Sequence, residues 1–221
     1  MSILIVLAKA PVAGRVKTRL CPPLSAQQAA DIAFAALNDT LRAVAGVAVD
    51  HRILVLDGEP GDWVPKGFSV LPQKNGLLDQ RLIDAFADVF NHVGQPKSGN
   101  RGEPCVLIAM DTPQVHPRQL SEALTYLEDA DSVIGMAEDG GFWLIGLNAP
   151  TPEVFRDIPM SVDSTGAAQR DRLAAIGHRT VTVETLRDID TFADLDAVAA
   201  EFPSLAVSQV WIAMQRTLTN C

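Results

Sequence analysis

The chain has 221 residues, 48% apolar and 20% charged, a composition of folded rather than disordered protein. Its 18 Lys and Arg stand against 27 Asp and Glu, a formal charge of −9. That balance argues against bulk binding to nucleic acid or an anionic membrane, since both reward a basic face.

Residues 3–8 predict a buried strand, too short for a membrane span or a signal core. A cytoplasmic protein with no stable membrane insertion is therefore expected. Residues 25–44 predict a helix, with Ser25 as cap and Gln28 completing a capping box. Strands are expected at 53–56 and 68–71, and a helix at 78–93 with Leu82, Ala85, Phe86, Val89 and Phe90 on one stripe. Residues 95–104, rich in Gly, Pro and Ser, predict an exposed loop. Residues 106–110 are the most strand-like segment, followed by a helix over 117–130 with Pro in its first turn. Strands at 132–136 and 142–147 flank a tight turn at 137–141. A helix at 165–176, a strand at 180–183 and a helix at 192–201 follow. Residues 205–218 predict a last helix or a tail, packed on the domain or forming a dimer contact. Strand–helix alternation with continuous apolar strands implies an α/β fold: a mainly parallel central sheet with helices on both faces. One domain over 1–204 with a C-terminal helix or tail over 205–221 is expected. Functional residues should gather at the carboxyl ends of the strands.

Three cysteines, odd in number and widely spaced, and four scattered histidines disfavour a disulfide framework, a thiolate zinc site and a histidine metal site. Three polar clusters remain. Lys9, Arg15, Lys17 and Arg19 follow the first strand with no acid before Asp31. The first thirty residues thus hold four cations and no acid, while the remainder holds 14 cations against 27 acids. A Gly- and Pro-bearing loop with this charge suits phosphate; a solvated basic loop reads the same way. The Gly-Lys-Ser/Thr order of a P-loop is missing, because Arg15 and Val16 separate Gly14 from Lys17. Asp111, ahead of Thr112-Pro113, stands at a strand end, where one carboxylate can share a hard cation with phosphate or simply cap a turn. Asp188 and Asp190 face one way on extended backbone, yet Asp190 or Thr191 would equally cap the next helix. Beside these three, Glu138-Asp139-Gly140-Gly141 is a softer signal: it allows a close approach to backbone and is also an ordinary hairpin turn.

Together these segments resemble a bacterial glycosyltransferase-A-like family of unknown function, some of whose members are labelled arsenosugar-type glycosyltransferases. The resemblance rests on Lys9-Ala10-Pro11 with Gly14-Arg15-Val16-Lys17-Thr18-Arg19-Leu20 and on Asp111-Thr112-Pro113. It rests also on Glu138-Asp139-Gly140-Gly141-Phe142-Trp143-Leu144-Ile145-Gly146-Leu147 and on Asp188-Ile189-Asp190-Thr191 with Asp194-Leu195. It spans about residues 1–200. The family is similar in turn to the phospholactate and phosphoenolpyruvate guanylyltransferases of deazaflavin cofactor synthesis.

The resemblance implies a single-domain nucleotide-diphospho-sugar transferase fold and a glycosyltransferase or nucleotidyltransferase. Lys9, Ala10, Gly14, Arg15, Lys17, Arg19, Asp139, Gly140 and Gly141 would then bind a nucleotide or nucleotide-sugar. Asp111, Asp188 and Asp190 would hold Mg²⁺ or Mn²⁺, and Lys17, Arg15 and Asp111 would carry the chemistry on a small-molecule acceptor. Two segments depart from the family. Residues 73–82 alter its Gly-x-Asp-Leu-Gly-Glu-Arg run, an acid becoming apolar and Glu becoming Gln80, and Met160-Ser161-Val162-Asp163-Ser164-Thr165 replaces Trp-Ser-Thr; both regions would face the acceptor or the base. Those changes motivate an alternative: a catalytically weakened nucleotide-binding or partner-binding module with the same fold.

Overall fold

A computed structural model describes residues 1–94 and 102–218; the part of the expected 95–104 loop up to residue 101 lies outside them. Seven strands form one sheet: β1 (Ile3–Lys9), β2 (His51–Asp57), β3 (Phe68–Pro72), β4 (Cys105–Ala109), β5 (Ser132–Ala137), β6 (Phe142–Leu147) and β7 (Thr180–Leu186). Their order is β3-β2-β1-β4-β6-β5-β7. All pairings are parallel except those of β6, which is antiparallel to β4 and β5. The helices are α1 (Ala26–Ala45), α2 (Leu78–Val93), α3 (Pro117–Tyr126), α4 (Thr165–Ala175), α5 (Phe192–Glu201) and α6 (Ala206–Leu218).

The two-residue period of β1 sends its side chains to two cores. Leu4, Val6 and Ala8 join Leu37, Leu41 and Leu120 on the side of α1 and α3. Ile3, Ile5 and Leu7 join Phe86, Phe90 and Leu173 on the side of α2 and α4. A strand buried on both faces must be apolar at every position, which is why residues 3–8 read as a continuous run. Ile32 and Ala36, on the outer side of α1, pack in a third cluster with Leu195 of α5 and Val207 and Trp211 of α6. No single helix among the described residues is long and apolar enough to cross a membrane.

The capping box at Ser25 and Gln28 forms. The helix expected over 117–130 is shorter, ending at Tyr126. Asn148 donates its side-chain amide to the carbonyls of Leu127 and Ala130 at 3.0 and 2.9 Å. Those bonds satisfy the helix end from outside, so the backbone turns there. β7 runs three residues further than residues 180–183, because its continuation Glu184–Thr185–Leu186 is a half-exposed sheet edge without an apolar run.

Candidate active site

From β1 the chain proceeds to β2 on one side, while β4 lies on the other. This is a topological switch point, and the crevice outside the strand carboxyl ends is the place where open α/β sheets bind ligands. β6, being antiparallel, starts at that same rim: Leu144 pairs with Ile108. Ala137 pairs with Leu186, so the segment after β7 arrives there too. A cleft of about 520 Å³ occupies this rim.

Lys9, Arg15, Lys17 and Arg19 of the basic loop line the cleft, with Asp111, Asp139, Gly141, Asp188 and Asp190. Ala10, Gly14 and Gly140 do not line it. Ala10 is buried in the core, Gly14 sits on the exposed loop with φ +81°, and Gly140 is taken up by backbone packing. A Cβ on Gly140 would overlap the Asp163 carbonyl, and its own carbonyl accepts from Gly166 N–H at 2.8 Å. The turn at 138–141 is therefore both a hairpin turn and a wall of the site. Arg187 fixes it by pairing with Glu138 and, at 3.2 Å, with Asp194.

Lys17 is the centre of the arrangement. Its side chain is only 7% exposed, and its Nζ lies 2.5 Å from Asp111 Oδ1 and 3.2 Å from Asp190 Oδ1. It also donates to the Ile189 carbonyl. An ammonium has three donors, so Lys17 has an acceptor for each. Burial depresses its pKa, but Asp111 and Asp190 more than offset this and hold it above the ordinary lysine value. Its backbone is left-handed, φ 47° and ψ 36°, at the head of the 3-10 turn Thr18–Leu20. That conformation is uncommon for a side-chain-bearing residue. Arg15 and Arg19 are mostly exposed and reach Asp57 and Asp190 at 3.4 and 3.3 Å. Lys9 makes no ion pair among the described residues.

The two aspartates after β7 have different neighbours. Asp190 faces the cations Lys17 and Arg19, and Thr191 caps α5 with a capping box to Asp194. Asp188 faces carboxylates. Burial pushes its pKa up to about 7; the bond from Thr112 Oγ at 2.5 Å and the charge of Lys17 oppose this, and the charges of Asp111 and Asp139 add to it. Asp111, Asp139 and Asp188 thus share a region of excess negative charge. Among the described residues no three His, Cys, Asp or Glu side chains form a ready-made metal cage.

Sequence reasoning set residues 73–82 against the acceptor or the base without naming Arg81 as a site residue. Arg81 lines the cleft between Leu78 and Leu82 on α2 and donates to the Gln73 side-chain carbonyl through Nε at 2.8 Å and through its terminal nitrogen. The signal was present: residues 78, 81 and 82 share a helix face, so this cation stands in an apolar stripe.

A family model for uncharacterized proteins conserved in bacteria (DUF2064) matches residues 33–162. No curated protein sequence matches the chain significantly. A structure from Desulfovibrio desulfuricans G20, provisionally described as a nucleotide-diphospho-sugar transferase, superposes with a TM-score of 0.84 at 21% identity, covering 100% of this chain and 98% of its own. A cytidylyltransferase from Leptospira borgpetersenii gives 0.57 at 14% identity, with 99% and 96% covered. A CMP:2-keto-3-deoxy-manno-octonic acid synthetase complexed with CTP gives 0.55 at 13% identity, with 92% and 99% covered. The fold is that of the nucleotide-diphospho-sugar transferases.

Proposed function

The chain belongs to the DUF2064 family of bacterial proteins, and within it we propose a metal-dependent transferase that uses a nucleotide or nucleotide-sugar donor. The observation that carries this reading is the meeting of loop cations and rim carboxylates in one cleft at the sheet's switch point. The fold neighbours support it in kind, the CTP-bound synthetase among them.

Lys9, Arg15 and Arg19 have donors free to face solvent and would take the oxygens of a diphosphate, Arg in bidentate fashion. Lys17, with its donors engaged, would set the position of Asp111 rather than bind phosphate itself. Asp111 and Asp188 would hold Mg²⁺ or Mn²⁺, with Asp139 beside them. The half-buried carboxylate of Asp188, set beside Asp111 and Asp139, is suited to such a cation. Magnesium commonly takes one or two protein carboxylates and completes its shell from phosphate and water. Bound there, the cation would neutralise charge on the leaving diphosphate. The remaining work of the chain is positioning and electrostatic stabilisation, not covalent catalysis.

The test is calorimetry and thermal shift with nucleoside triphosphates and nucleotide-sugars, each with and without Mg²⁺ or Mn²⁺. At least one should bind in a metal-dependent way, with a loss of tenfold or more in Asp111→Ala. Binding that ignores the metal and survives Asp111→Ala would sink the reading.

A further inference from the structure

The cleft lining mixes polar and apolar groups: Lys17, Asp111 and Asp190 line it together with Leu78, Phe142 and Met160, which pack on the core cluster of the α2/α4 face. Leu82 and Leu107 close its floor, and Val162, 47% exposed, stands at its edge. Leu77, 79% exposed, directly precedes α2 beside Leu78.

Arg81 is the one guanidinium that α2 contributes to this lining. It has no carboxylate within ion-pair distance among the described residues. Its only side-chain partner there is the neutral Gln73. Gln73 accepts through its oxygen, while its buried amide nitrogen has no partner. Burial lowers the Arg81 pKa, and the charge of Asp57 only partly opposes this. A half-buried cation without a counter-ion is unfavourable in the empty protein and becomes favourable when a ligand brings the anion. Gln73 holds two guanidinium nitrogens, and the fork retains donors for two oxygens of that anion.

We propose that Arg81 and the apolar wall of Leu78, Phe142 and Met160 form the subsite of the second substrate, a molecule with one phosphate or carboxylate on an apolar body. This rests on the transferase reading above, since it makes the loop cations the donor half and α2 the acceptor half. An apolar body supplies the contact area, and burying it contributes about 25 cal/mol per Å²; the anion fixes its orientation.

The test loads the donor half with inorganic diphosphate and Mg²⁺, which needs no knowledge of the base. Phenyl phosphate and n-hexyl phosphate are then titrated calorimetrically, against inorganic phosphate and benzyl alcohol. At least one of the two esters should bind tenfold or more tighter than both controls. The better of the two tells whether the body is aromatic or aliphatic. Arg81→Leu should weaken the ester at least tenfold and leave diphosphate within twofold, and Leu78→Asn should weaken the ester alone. Arg81→Lys, which keeps the charge but loses the fork, should fall between. Equal affinity for esters and inorganic phosphate overturns the proposal, as does an Arg81→Leu variant that loses diphosphate as severely as ester. If diphosphate fails to bind while the ester still depends on Arg81, the transferase reading falls and this subsite stands.

Discussion

The ammonium of Lys17 lies 2.5 Å from the Asp111 carboxylate, joining the loop after β1 to the end of β4 across the sheet's switch point. Asp190, 3.2 Å away on the segment after β7, completes the bridge. Three strand ends are thus tied through one nitrogen. Replacing Lys17 by Met would leave Asp111 without its cation and Asp190 with only the exposed Arg19. Breaking a buried pair costs about 3–5 kcal/mol, but both carboxylates are more than one-third exposed and water screens them. We expect a loss of about 2 kcal/mol in urea unfolding, reduced by adding Asp111→Asn to the same chain. An unchanged midpoint in Lys17→Met would show that the bridge has no structural weight.

Asp188 gives a pH signature in chelator-treated protein. Its folded-state pKa, raised by burial first and by Asp111 and Asp139, is about 7, against roughly 3.9 in an unfolded chain. Between these values the folded state keeps a proton that the unfolded state releases. Stability from this group is therefore complete below about pH 4 and declines as pH rises through 7. Asp188→Asn cannot titrate, so its stability relative to the parent should climb across that window, by about 2 kcal/mol after allowance for solvent screening. Unfolding midpoints of the two proteins from pH 4 to 8 decide it; parallel curves would contradict the burial of this carboxyl.

The two left-handed glycines Gly14 and Gly140, beside the cleft, make unlike demands. Gly140 has φ +88°, and a methyl there would overlap the Asp163 carbonyl. Gly14 has φ +81°, and a methyl there would meet nothing within 4 Å. Gly140→Ala should therefore cost about 3 kcal/mol or more, since backbone must move. It should also loosen residues 160–164, which would appear as faster amide exchange. Gly14→Ala bears only the conformational cost, about 1 kcal/mol. Equal effects would mean that the turn does not pack on the loop before α4.

Much of this was legible in the residues. The apolar period of residues 78–93 and the run 142–147 have the bounds of α2 and β6. Each polar cluster could be placed because it directly follows or joins strands, and parallel strands bring such ends to one rim. Long-range pairing was not legible. Nothing near Lys17 in sequence says that its donors go to Asp111, Ile189 and Asp190, roughly 90 to 170 residues away along the chain. The differing surroundings of Asp188 and Asp190 arise from the same cause: two residues with equal local pattern meet a carboxylate cluster on one side and a lysine on the other. α3 stops early because of Asn148, a side chain from after β6.

The last helix supplies a prediction remote from the site. Asp39, only 6% exposed within α1, accepts from the backbone N–H groups of Ala206 and Val207 at 3.1 and 2.9 Å. These are orphan donors at the start of α6, and a carboxylate there also meets the positive end of the helix dipole. Burial raises the Asp39 pKa, while these bonds and the charge of Arg42 oppose the rise. Trp211 adds a second anchor, donating to Asp196 at 2.8 Å and lying 5.5 Å from the Phe192 ring. Asp39→Ala removes both acceptors and should cost about 2 kcal/mol, whereas Asp39→Asn keeps one and should cost less than half as much. Amide exchange across residues 206–218 should quicken in Asp39→Ala while β1 and β4 keep their protection. Uniform quickening through the sheet would instead mean that α6 is part of the folding core rather than a layer docked upon it.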